Sequence, residues 1–315
     1  MFDRILFPID FSTPCVSVNR QVEWLANRFR SEVTLLHVFE VPASWRGSCN
    51  TYFVSFDGLD PLKQAAAENL KTYAIDVPET RMKRVLAVGD AAAEILDWAE
   101  TTNADLIVMG THSYGRLKGL ILGSVSAKVL HSAGCPLWMD SLAHSPSDRG
   151  ISKIVCAIEF IDEAMPLLLF TKALAEELGA SVRLIHSVPE LETRPNKYFD
   201  FDLHRYLTEA ARVEIAKMQR AASTDFPVTV SGLGISDALA QASTDGMDLV
   251  IIGRGRAQNT FGRFQTHAYD IVRHAPCPVL SYSSIRKDHI SSSCSAEHRG
   301  QSEESAQPLT GSPTS

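Results

Sequence analysis

Apolar positions in this chain alternate between short continuous runs and helical stripes. Ile5–Ile9, Val33–Phe39, Arg84–Val88, Leu106–Met109 and Pro136–Met139 are short and rich in β-branched side chains, the pattern of parallel strands covered on both faces. Ser12 is a candidate N-cap with Pro14 in the first turn, and Val18, Val22, Leu25, Ala26 and Phe29 then mark one helix face. Further helices are predicted over 61–76, Ala92–Thr101 and 124–133, with Ser124 as a candidate N-cap of the last. The stretch 42–61 reads as a long loop, functional or mobile.

The pattern then repeats. Arg4-Ile-Leu-Phe-Pro-Ile-Asp10 is echoed by Lys153-Ile-Val-Cys-Ala-Ile-Glu159, and Thr34-Leu-Leu-His-Val38 by Arg183-Leu-Ile-His-Ser187. Asp105-Leu-Ile-Val-Met-Gly110 returns as Asp248-Leu-Val-Ile-Ile-Gly253, and Ala133-Gly-Cys-Pro-Leu137 as Ala275-Pro-Cys-Pro-Val279. Four landmarks recurring in order identify a duplicated domain rather than a solenoid of short repeats. The second copy carries strands at Ile154–Ile158, Val182–Val188, Val228–Ser231, Leu249–Ile252 and Pro278–Ser281. Its helices are predicted at Glu163–Leu178, closed by Gly179, and near 202–222, 236–244 and 265–274. Strands joined by helical crossovers give the fold class: α/β, two tandem doubly wound parallel sheets. The expected boundaries are a first domain over 1–140, a linker over 141–150, a second domain over 151–286 and a disordered Ser-rich tail over 287–315.

Composition narrows the function. With 315 residues, 45% hydrophobic and 21% charged, the chain reads as globular, and a formal charge of −7 argues against a dedicated nucleic-acid partner. No apolar run is long enough to span a bilayer, and Met1–Asp10 reads as a strand rather than a signal peptide. Cysteines at 15, 49, 135, 156, 277 and 294 lack metal-site spacing and read as reduced, mostly buried thiols of a cytoplasmic protein.

The candidate chemistry lies after the Leu106–Met109 run. Gly110 is followed by a loop carrying His112, Ser113, Gly115, Arg116, Lys118 and Gly119, then by Gly123-Ser124 at a helix start. Strand, glycine, basic loop and helix start together describe a nucleotide phosphate site. The loop lacks the Lys-Ser/Thr of a P-loop. Nor is there a paired carboxylate or positioned base near it, so at most weak hydrolysis of a bound nucleotide is expected.

These motifs resemble a tandem universal stress protein. The ATP-binding members of that family have an acidic residue ending strand one, a His-Val ending strand two, and a Gly-x2-Gly-x9-Gly-Ser/Thr stretch after strand four. Asp10, His37-Val38 and Gly110-x2-Ser113-x9-Gly123-Ser124 match, with Ser113 replacing the second glycine. The resemblance implies a Rossmann-like, adenine-nucleotide alpha hydrolase-like fold with ATP, with or without Mg2+, at the strand ends. It also implies an intramolecular pseudo-dimer through the last strands and leaves a homodimer open. Asp10 would accept from ribose hydroxyls and Val38 main chain would meet adenine. Gly110 would allow close approach to the ribose, and Ser113, Gly123, Ser124 and Val125 would donate to phosphates. In the second copy Glu159, Ser187 and Gln265-Thr266-His267 depart from this pattern, which implies weak nucleotide binding or none; Arg254, Arg256 and Arg263 leave open another anionic ligand. Three functions follow: a nucleotide-dependent regulatory or interaction module, a nucleotide-independent interaction protein with both sites degenerate, or a slow ATPase. His37 and His186, in apolar strands, are expected to be structural.

Overall fold

The computed structural model describes residues 1–40, 60–111, 122–140, 150–160, 163–188, 197–244, 246–254 and 263–283. The expected loop, linker and tail lie outside these, apart from residues 60, 61 and Gly150. Residues Met1–Ser284 form one compact unit.

Five strands build the first half: β1 Arg4–Pro8, β2 Glu32–Phe39, β3 Met82–Val88, β4 Leu106–Gly110 and β5 Leu137–Asp140. Five build the second: β6 Lys153–Ala157, β7 Ser181–Ser187, β8 Val228–Ser231, β9 Leu249–Gly253 and β10 Val279–Tyr282. They form a single sheet in the order β3-β2-β1-β4-β5-β10-β9-β6-β7-β8. Within each half every pairing is parallel; the halves meet edge to edge through the antiparallel β5–β10 pair, with Trp138 opposite Leu280. A β5 edge that would invite another chain is thereby covered from within the molecule.

Helices cover both faces: α1 Thr13–Ser17, α2 Asn19–Phe29, α3 Asp60–Thr72, α4 Ala91–Thr101 and α5 Ser124–Ser132 in the first half, then α6 Ala164–Leu178, α7 Lys197–Ala222, α8 Ile235–Ser243 and α9 Arg263–His274. Strand alternation sorts the core into two layers. Ile5, Phe7, Val108, Trp138 and Cys156 face the layer of α2 and α6; Leu6, Ile107, Met139, Val155 and Ile252 face that of α4, α5, α8 and α9. Both layers run through both halves.

The caps explain several boundaries. Ser12 Oγ accepts from Cys15 N at 3.3 Å, as its N-cap position predicts. The single apolar stripe after it is nevertheless two helices, because the chain tightens at Val18, whose N–H bonds Cys15 O. Gly179 closes α6 at φ +69°, a left-handed conformation glycine adopts without a Cβ clash. Asp105 and Asp248 anchor the amino ends of the strands, opposite the candidate site. Asp105 accepts from Asp3 N and Arg4 N, and Asp248 from Ser152 N and Lys153 N, each tying the start of one strand to its neighbour.

Of the six thiols, Cys49 and Cys294 lie outside the described residues; the other four are packing groups. Cys15, Cys156 and Cys277 are buried, and Cys135 is partly so; all four are free. Burial pushes the first three up to about 12 and Cys135 up to about 11. Since the thiolate is the reactive form, these four should resist iodoacetamide at pH 8 in the folded protein and react once it is unfolded in urea. Peptide mapping of alkylated sites checks this; rapid native labelling of Cys15 or Cys156 would contradict it.

Candidate functional site

Each half has strand order 3-2-1-4-5, so the crossover direction reverses between its first and fourth strands. Open α/β sheets take ligands at the carboxyl ends of strands at such a point. In the first half the switch lies between β1 and β4, and their hydrogen-bonded ladder stops early there. Their ladder runs only from Ile5↔Leu106 to Leu6↔Ile107, whereas β1–β2 continues to Pro8↔Leu36 and β4–β5 to Gly110↔Asp140. The cause is local. Ile9 N donates to Leu36 O on the β2 side, and Arg4 O accepts from Asp105 N on the β4 side. By strand alternation, position 8 also faces β4, and Pro8 has no N–H to give. In the second half the equivalent residue is Ala157, and the β6–β9 ladder closes through Ala157↔Ile252.

The residues singled out in the sequence flank this switch point. Asp10 follows β1 and is exposed; its Oδ1 accepts from Ser12 N at 2.9 Å, an Asx turn that fixes the carboxylate. Phe11 between them sits at φ +59°, unusual for an aromatic residue. Its ring packs on His37 at 4.5 Å and on Tyr73 at 5.8 Å, which holds the turn. His37 Nδ1 lies 2.8 Å from Ile9 O, and His186 repeats this against Ile158 O at 2.8 Å with Phe160 on its ring. Both histidines thus brace the ends of the first strands. Val38 lies two residues beyond Leu36, so its main-chain N–H and C=O point to the same side, past the end of β1.

On the other flank, Gly110 ends β4 and its carbonyl accepts from Ser126 Oγ at 3.1 Å, which ties the first turn of α5 to the strand. Two expectations are corrected here. Gly123, not Ser124, is the N-cap of α5, at φ −60° and ψ 147°, and Ser124 is the first helical residue. The Gly123 N–H is already taken by Thr111 O at 3.1 Å. With no side-chain cap on this helix, the first-turn amides of Ser124, Val125 and Ser126 are the donors at its N-terminus. Ser113, with His112, Arg116 and Lys118, lies outside the described residues. Among the described residues no cluster of His, Cys, Asp and Glu is suited to hold a metal ion.

The second half differs at the matching places. α9 begins at Arg263, so the Thr266 and His267 amides lie inside the helix rather than at its start. Arg254 is not available to an anion: its guanidinium donates to Leu130 O and Cys135 O of the first half, and burial pulls it down to about 10. Arg256 lies outside the described residues, as does the Arg263 side chain. Sequence reading missed the roles of Pro8, Phe11 and Ser126. Pro8 against Ala157 was visible in the repeat, but its effect depends on which edge faces β4.

A family model described as the universal stress protein family matches residues 1–140 and 150–282. The chain belongs to the universal stress protein family. A universal stress protein of Methanocaldococcus jannaschii is 26% identical over 151 residues, which are 44% of this chain and 93% of that one. Another, from Bacillus subtilis, is 28% identical over 145 residues, 44% of this chain and 97% of that one. Less than half of this chain therefore spans nearly a whole relative, consistent with a duplicated universal stress protein domain. A crystal structure of a universal stress protein from Archaeoglobus fulgidus covers 89% of this chain and 98% of its own length, with a TM-score of 0.63 and 21% identity, and shares the fold. No helix among the described residues is long and apolar enough to cross a membrane.

Proposed function

We propose that the first half holds one adenine nucleotide, ATP in the first instance, and that its occupancy regulates the protein's interactions in a stress response. The observation that carries this reading is the switch point between β1 and β4, flanked by Asp10 after β1 and by the start of α5, which has no side-chain cap. The residue chemistry suits such a ligand. An exposed carboxylate fixed by Ser12 N suits ribose hydroxyls, the Val38 main chain suits a base edge, and the amides of Ser124 and Val125 suit phosphate oxygens. Gly110 and Ser113 complete the set proposed for the nucleotide, and Mg2+ would accompany the phosphates from solvent.

The second half is proposed to bind no nucleotide at the equivalent place. Its β6–β9 ladder runs on to Ala157↔Ile252, and α9 begins ahead of Thr266 and His267 rather than at them. An isothermal titration with ATP tests both statements. It should give one site per chain, with Asp10→Ala weakening binding about 10- to 100-fold through lost charge-assisted hydrogen bonds. Unchanged affinity in that variant would overturn the assignment.

A further inference from the structure

Helix α5 carries the candidate phosphate amides at its N-terminus, and its other end is held from the second half. Arg254 donates through Nη1 to Leu130 O at 3.2 Å and through Nη2 to Cys135 O. Leu130 lies in the last turn of α5, where carbonyls run out of intrahelical partners. Tyr269 of α9 donates its hydroxyl to Ala127 O at 2.9 Å. Tyr269 and Ala127 are 142 residues apart, the same offset as Ala133 and Ala275, so the two helices meet at matching positions.

The arrangement runs one way. The counterpart of Arg254 in the first half is Thr111, which follows Gly110 as Arg254 follows Gly253. Their main chains do the same thing: Thr111 N donates to Asp140 O at 2.8 Å and Arg254 N to Tyr282 O at 3.0 Å. The side chains differ, since threonine has no guanidinium to place on carbonyls of the opposite half. The counterpart of Tyr269 is Ala127 itself, which has no hydroxyl.

We propose that Arg254, supported by Tyr269, is a positioning residue for the nucleotide site of the first half, so that the second half acts as its built-in regulator. A cation at the C-terminal end of a short helix and an anion at its N-terminal end complement the same dipole. Fixing the helix at Leu130 and Ala127 also fixes the amides of Ser124 and Val125 before the phosphates arrive, which lowers the ordering cost of binding. Any partner or ligand that displaces the Arg254 contact would weaken nucleotide binding, and by reciprocity bound nucleotide would strengthen that contact. The inference rests on the reading of the first half as the nucleotide site.

The test compares the full chain with Arg254→Met, Arg254→Lys and Tyr269→Phe. ATP affinity is read by titration, and hydrogen exchange of α5 is read without nucleotide. Arg254→Met should bind ATP about tenfold more weakly and exchange the Ala127–Ala133 amides faster. Arg254→Lys, which restores the charge, should recover most of the affinity. Tyr269→Phe should cost about threefold. Wild-type affinity in Arg254→Met would overturn the inference and leave the nucleotide reading standing. A wild-type chain that binds no nucleotide would overturn that reading, and the inference with it. Should Arg254→Met unfold, Tyr269→Phe decides: weaker binding supports the brace, and unchanged binding overturns it.

Discussion

Replacing Gly123 with valine is expected to weaken ATP binding by at least about 100-fold while the protein stays folded. Gly123 sits at φ −60° and ψ 147°, an extended conformation that valine adopts without strain. The fold therefore loses only the difference between a tolerated and a poor N-cap residue, roughly 1 kcal/mol or less. The ligand loses more. A β-branched side chain at the N-cap stands over the first-turn amides, and each charge-assisted hydrogen bond denied to a phosphate is worth about 1.5–3 kcal/mol. Loss of two such bonds already exceeds 2.7 kcal/mol, which is a factor of about 100. Gly123→Ala, with one methyl, should fall between valine and wild type. Equal affinity for ATP in wild type and Gly123→Val, by titration at matched temperature and salt, would show that the α5 start is not the phosphate site.

Trp138→Ala should give the largest loss of stability, about 3–5 kcal/mol. The indole is 1% exposed and lies in β5, between Val108 on β4 and Leu280 on β10. Its removal empties the layer of core that passes from one half to the other. Because the sheet and both core layers are continuous, wild-type unfolding in urea should be one transition, reported alike by fluorescence and circular dichroism. Trp138→Ala should lower its midpoint and broaden or split it, as the halves come apart before either melts. Trp138→Phe is the control. The indole Nε1 is buried with no hydrogen-bond partner among the described residues, so deleting the N–H while keeping an aromatic ring should cost far less. Two separate transitions in the wild type would contradict the shared core.

Some of this was legible from the residues and some was not, for physical reasons. The strands, the repeat and the fold class follow from patterns that need no knowledge of partners. Caps at Ser12 and Gly179 are equally local, since each acts within a few residues of itself. The break at Val18 is hidden because the apolar stripe runs straight through it. Phe11 at a positive φ is hidden because nothing in an aromatic side chain announces a left-handed turn; the rings of His37 and Tyr73 and the Asp10–Ser12 bond hold it there. The N-cap of α5 was misplaced by one residue, since Gly and Ser are both favoured there and the choice depends on Thr111 O reaching Gly123 N. Arg254 was the least legible. Its charge in a phosphate-type loop suggested a ligand, yet its partners lie 124 and 119 residues away in the other half. Non-local destinations of this kind cannot be read from spacing within one copy.

The two halves thus share a fold and differ at three places that bear on binding: Pro8 against Ala157, the start of α5 against that of α9, and Thr111 against Arg254. The central claim is one nucleotide per chain, held by the first half. Native mass spectrometry of the intact chain incubated with ATP tests it most directly. The predicted spectrum shows a single added ATP, lost in Gly123→Val; a chain that stays empty at millimolar ATP, or that takes up two, would contradict the claim.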